Sequence, residues 1–216
     1  MLRETSPDDE VILSFNGHGL IDTSLNFYFA TYDVNFNAPA EKGLSYSDIS
    51  SLLDEIPARK KMILMDACHS GPIDKENSYE RVLDTSADGT RRGLVLKQSN
   101  KEESNFLLGN TFRLMQTLFS DISENNGSLI IAAAGGDEVA FENNYWKNGV
   151  FTYCVRKALE EKRADLNKDG EIEVDELKKY VTEQVEKLTK GKQKPTSRQD
   201  NPKTKWVLAI DQTIPE

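Results

Sequence analysis

Apolar and polar positions along this chain fall into blocks whose period changes from one block to the next. EVILSF (10–15) is a short apolar run that stops at NGHG, the pattern of a buried strand with a turn at its carboxyl end. The aromatic-rich LNFYFATYD (25–33) predicts a strand or hairpin arm. In YSDISSLLDEI (46–56), Ile49, Leu52, Leu53 and Ile56 recur at helical spacing, and Pro57 marks the stop. KMILMD (61–66) is a second buried strand, ending at Asp66-Ala67-Cys68-His69-Ser70-Gly71. Strand, helix and strand at this spacing predict a βαβ unit in a largely parallel sheet.

Residues 72–105 interrupt the periodicity. They are rich in Lys, Glu, Asp, Asn and Ser, with SADGTRRG at the centre, and read as a long mobile loop. Helical character resumes over 106–122, and SLIIAAAGG (128–136) reads as a third strand. Two helices follow: Phe151, Cys154, Val155, Ala158 and Leu159 form one stripe, and Val174, Leu177, Val181, Val185 and Leu188 another. KWVLAI (205–210) is expected to close the chain as a last strand. No internal repeat is visible, and 216 residues suit one domain over 1–216.

Composition narrows the classes of function. A net charge of −9 disfavours nucleic acid and anionic membranes as partners and favours cations or basic peptide segments. No apolar stretch is long enough to span a membrane, and MLRETSPDDE lacks the apolar core of a signal peptide. Cys68 and Cys154 alone do not make a disulfide framework, so a reducing, cytoplasmic setting is expected. Cys154 belongs to an apolar helical stripe and reads as core.

Open α/β sheets bind ligands outside the carboxyl ends of their strands, where NGHG and DACHSG both fall. If the two strands are neighbours, His18 and Cys68 emerge at one edge of the sheet. A thiol becomes a good nucleophile once a nearby imidazole holds or removes its proton. His69, adjacent to the cysteine, projects differently along an extended chain and is read as part of the loop.

These blocks resemble the caspase clan of cysteine peptidases, whose histidine lies about 50 residues before the cysteine motif. NGHG and DACHSG look like the caspase blocks SHG and QACRG, and are closer still to metacaspase-like bacterial members. GVFTYCVRKALEE (149–161) resembles the helix after the third long strand of those enzymes. The resemblance implies an α/β, caspase-like three-layer sandwich with a mainly parallel central sheet. It also implies Cys68 as nucleophile, His18 as general acid/base, and the amides of Gly19 and Cys68 as oxyanion hole. Asp66 matches an acid of metacaspases and implies cleavage after Arg or Lys, with Glu138 a second pocket candidate. Arg91-Arg92 would then be a self-cleavage site within the loop.

The family fold starts with a β-α-β portion before the histidine strand. The opening residues here match only its end, so the domain is expected to be N-terminally truncated. EVILSF would then have an unpaired edge, to be completed by a preceding segment or a partner chain.

One further motif lies outside the peptidase blocks. DLNKDGEIEVDE (165–176) fits a calcium loop between two helices. Asp165, Asn167 and Asp169 take the first, third and fifth positions, Gly170 the sharp turn, Ile172 the apolar eighth and Glu176 the bidentate twelfth. Glu171 would offer its backbone carbonyl, and Glu173 would act through water. Calcium is therefore the cofactor expected, with no organic cofactor. The alternative to a calcium-modulated peptidase is a calcium-binding interaction module with an incomplete or inactive site.

Overall fold

A computed structural model of the chain describes residues 2–22, 24, 26–72, 79–86, 89–96, 128–133, 141–143, 146, 148–198 and 205–208. Strands β1 (Glu10–Ile21), β4 (Lys60–Pro72) and β7 (Leu129–Ala132) run parallel at the centre of a six-stranded sheet. Its order is β10-β7-β4-β1-β2-β3, where β2 is Phe27–Phe29, β3 Leu44–Ser45 and β10 Thr196–Arg198. These last three are antiparallel to their neighbours.

Side-chain alternation along β4 makes the sheet the middle of three layers. Ile63 and Met65 pack with Leu53 and Ile56 against helix α1 (Tyr46–Glu55). Met62 and Leu64 face the other way, onto Phe151, Cys154, Val155 and Ala158 of α2 (Val150–Glu160) and Leu177, Val181 and Val185 of α3 (Val174–Leu188). A strand buried on both faces has no polar face to alternate, which is why KMILM reads as an unbroken apolar run. Helix α1 starts at Ser45, whose Oγ accepts from the Asp48 amide at 3.1 Å. Near its other end, the buried Lys61 donates from Nζ to the Leu53 carbonyl at 2.6 Å. Burial holds that ammonium's pKa below the usual lysine value.

Three expectations change. The segment 72–105 is not a loop throughout: β5 (Tyr79–Ser86) and β6 (Gly89–Leu96) pair antiparallel over their whole length. With β8 (Phe141–Asn143) and β9 (Asn148–Gly149) they form a second, four-stranded sheet. The physical cue was a scatter of β-prone residues, Tyr79, Val82, Thr85, Thr90 and Val95, hidden by the surrounding charges. Both catalytic-looking motifs also lie within strands rather than in turns. The β1 and β4 ladders run on past the apolar runs because backbone pairing does not require apolar side chains.

The closing strand is displaced. Among the described residues, 205–208 form only a bridge at Val207, and β10 is the antiparallel strand beside β7. EVILSF, by contrast, keeps among the described residues the open edge expected of it. β2 pairs with Gly19–Ile21, while across residues 10–18 β4 is the strand partner among the described residues. The expected helix at 106–122 lies outside the described residues.

Candidate active site

β1 and β4 stay in register for ten consecutive residues, from Glu10 opposite Lys60 to Gly19 opposite His69. That register sets Asn16 opposite Asp66 and His18 opposite Cys68. Paired strands lie about 4.8 Å apart, so two residues 50 positions apart in sequence are brought as close as pairing allows. Directly after His18 the register shifts between Gly19 and Ile21. Irregularities of this kind re-aim the chain at functional edges.

His18 is half-buried, with its Nδ1 atom shielded from solvent. Phe36 stands edge-on to the imidazole, ring centroids 6.1 Å apart and planes at 65°. That phenyl belongs to a small cluster with Leu20, Tyr28, Ala30 and Val34. The main-chain carbonyl of His18 accepts from the Ala30 amide at 2.9 Å, so the segment after β2 fixes the histidine backbone as well as covering its ring. Phe36 was not singled out from sequence, because NFNAP carries no periodic signal.

Asp66 is 2% exposed, and its neighbour is the amino end of α2. The Thr152 hydroxyl donates to Asp66 Oδ2 at 2.6 Å, and the Thr152 amide approaches the same oxygen at 3.3 Å. Gly149, the N-cap of α2, has no side chain to offer, so a carboxylate from β4 takes the capping role. The negative charge also sits at the positive end of the helix dipole. Asn16 Nδ2 donates to the same Thr152 hydroxyl at 3.3 Å. Thr152 and Asn16 were both missed from sequence, since neither residue type signals chemistry until the strands and helix are brought together.

The remaining sites fall elsewhere. Gly19 lies within the sheet, opposite Phe29 on one side and His69 on the other. Glu138 lies outside the described residues. Arg91 and Arg92 are in β6, opposite Asp84 and Leu83, and Arg91 also pairs with Phe141 of β8. Cys154 is buried in the main core, and burial, followed by the charge of Asp66, pushes its thiol up to about 12.

The loop 165–176 has the turn its motif demands. Gly170 takes φ +89°, and Lys168 φ +62°. Asp165 accepts from the amides of Asp169 and Gly170, and Asp169 from that of Glu171. Glu176 closes the loop at both ends, with Oε1 on the amides of Leu166 and Asn167 and Oε2 on that of Glu173. The eighth position, Ile172, is buried, and its carbonyl accepts from the Leu208 amide at 2.9 Å. Val174 in turn donates to the Trp206 carbonyl, so residues 206–208 give the loop a short antiparallel partner. An all-oxygen donor set of this kind suits a hard cation such as calcium. Among the described residues, however, no three His, Cys, Asp or Glu side chains gather as a metal-holding group, so the carboxylates would have to draw together around an ion.

A family model for the caspase domain matches residues 2–206. The chain belongs to the caspase-domain family. As a caspase domain it is a cysteine peptidase in general class, acting on protein substrates, and its three-layer α/β architecture is that of the family. A crystal structure of protein GSU0716 from Geobacter sulfurreducens is similar to this caspase domain at 15% identity and a TM-score of 0.50. The alignment covers 91% of this chain and 68% of that one. A likeness at that identity speaks for the fold. A search of curated proteins finds no match. Among the described residues, no helix of this caspase domain is long and apolar enough to cross a membrane.

Proposed function

We propose that this caspase domain is an endopeptidase that cleaves after Arg or Lys through Cys68 and His18. The observation that carries the reading is the register that sets those two residues opposite each other on neighbouring parallel strands. In the proposed reaction His18 takes the thiol proton and the Cys68 sulfur attacks the scissile carbonyl. The oxyanion is met by the amides of Gly19 and Cys68, assigned on family resemblance. The C–N bond then breaks, His18 gives its proton to the leaving amine, and water hydrolyses the thioester.

The basic preference rests on Asp66, a carboxylate two residues before Cys68, with Glu138 as a second acidic candidate. Self-processing at Arg91-Arg92 belongs to the same proposal under a condition set by the second sheet. Arg91 is paired on both sides, so a cut there follows opening of β6. Calcium held by Asp165, Asn167, Asp169, Glu176 and the Glu171 carbonyl would cross-link the loop and so stiffen the α2–α3 pair behind Asp66.

The deciding experiment is covalent labelling by an arginyl chloromethyl ketone, followed by intact mass. One adduct is expected, absent in Cys68→Ala and weakened in Asp66→Asn, while an aspartyl analogue leaves the protein unmodified. Labelling that persists in Cys68→Ala, or that favours the aspartyl reagent, would overturn the reading. The same spectra report any cut after Arg91 or Arg92.

A further inference from the structure

Resting on that reading, we propose that Thr152 is a positioning residue for the His18–Cys68 pair, a single hydroxyl that ties both catalytic strands to the amino end of α2. Asn16 lies two residues before His18 on β1, and Asp66 two residues before Cys68 on β4, directly opposite each other in the ladder. The Thr152 Oγ1 accepts from Asn16 Nδ2 at 3.3 Å and donates to Asp66 Oδ2 at 2.6 Å. Only a group that donates and accepts at one atom can do both, which restricts the position to a hydroxyl side chain. The link to Asp66 is charge-assisted, and it runs to a residue 2% exposed, where hydrogen bonds to a carboxylate are strong.

The rest of α2 makes this anchor rigid. Phe151, Cys154, Val155 and Ala158 bury its stripe in the main core, so the helix that carries Thr152 is fixed by packing. A backbone ladder fixes the register of two strands but leaves them room to twist against each other. A side-chain tie just before the catalytic pair restrains that motion where it would most alter the separation of imidazole and thiol. Small misplacements of reacting groups cost large factors in rate. The same hydroxyl orients Asp66, so both the nucleophile and the acid assigned to substrate recognition depend on it.

The test is the pH dependence of Cys68 alkylation by iodoacetamide, read by peptide mass so that Cys154 is scored separately. Wild type is expected to show a thiol titrating below the free value of about 8.5. Thr152→Val, which keeps the shape and loses the hydroxyl, should move that titration upward by about half a pH unit or more, and Thr152→Ser should restore it. With an arginyl coumarin amide, Thr152→Val should lower kcat roughly tenfold while KM changes little. Thermal unfolding of each variant separates misplacement from a general loss of fold.

A Thr152→Val profile that coincides with wild type, or one that Thr152→Ser leaves unrepaired in a folded protein, overturns the inference. A wild-type Cys68 that titrates as a free thiol overturns the proposed peptidase site itself, and the inference with it. The two failures are therefore read from different samples.

Discussion

Cys154 has a thiol at 2% exposure, and its surroundings decide what it can do. Burial pushes it up to about 12, with the charge of Asp66 adding to the rise. Iodoacetamide at pH 8 should therefore leave Cys154 unmodified in the folded protein, and a labelled Cys154 peptide would contradict the burial. The same shift has a stability consequence. The folded value lies above the ordinary 9.0, so the stabilisation is fully present below that pH and is lost as pH rises from there towards 12. Cys154→Ala should flatten the loss of urea stability across that range. Tyr28 and Tyr180, whose hydroxyls are also raised chiefly by burial, contribute to the slope that remains, as do the ion-paired Lys42, Lys157 and Lys205.

At this scale the sequence was informative where chemistry is carried by rare residue types in fixed blocks. His18, Cys68 and the calcium-loop acids stand out because few other arrangements of those residues have a use. Thr152, Asn16 and Phe36 do not stand out, because a threonine at the third position of a helix or a phenylalanine in a loop is ordinary. Their roles come from partners 86, 136 and 18 positions away, which no local pattern encodes.

Among the elements, α1, α2, α3 and the three parallel strands follow directly from periodicity, because each buries a continuous face. The hairpin of β5 and β6 was obscured by charged residues, which backbone pairing tolerates as readily as apolar ones. β10 is three residues long, too short for any period to register.

The 165–176 loop belongs to this scale, since its short strand partner comes from residues 206–208 rather than from a second loop. Lys205 reaches across to Glu173 at 3.0 Å and to Glu171 at 3.6 Å, and its ammonium is stabilised by their carboxylates. A calorimetric titration with calcium should show one site, abolished in Glu176→Gln, which loses the charge of the closing carboxylate. Heat that survives that substitution would place the ion elsewhere. Asp169 is held below its usual carboxylate range by the Glu171 amide and the Asn167 side chain, so the loop's own wiring should be lost only as pH falls below that range, towards the lowered value.

Across the whole molecule, Trp206 ties the end of the described chain to its beginning. It is 7% exposed in the main core, and its indole Nε1 donates to Glu10 Oε1 at 2.9 Å, the oxygen that Lys60 Nζ also reaches at 3.0 Å. The starts of β1 and β4 and the strand partner of the 165–176 loop thus share one polar knot. Trp206→Ala should cost about 3–5 kcal/mol in urea unfolding, from the cavity and the lost bond together. A cost near that of a surface substitution would show that the C-terminal segment is dispensable.

The pairing of β1 with β4 has a consequence for how such an enzyme comes into being. His18 and Cys68 meet only when a loop of some fifty residues has closed and a parallel ladder has zipped, a non-local event of the kind that folds slowly. A nascent chain that has emerged as far as its cysteine therefore carries an ordinary thiol, without the imidazole that the proposed mechanism requires beside it. On the proposed mechanism, peptidase activity is thus acquired in one late step, when topology is already complete.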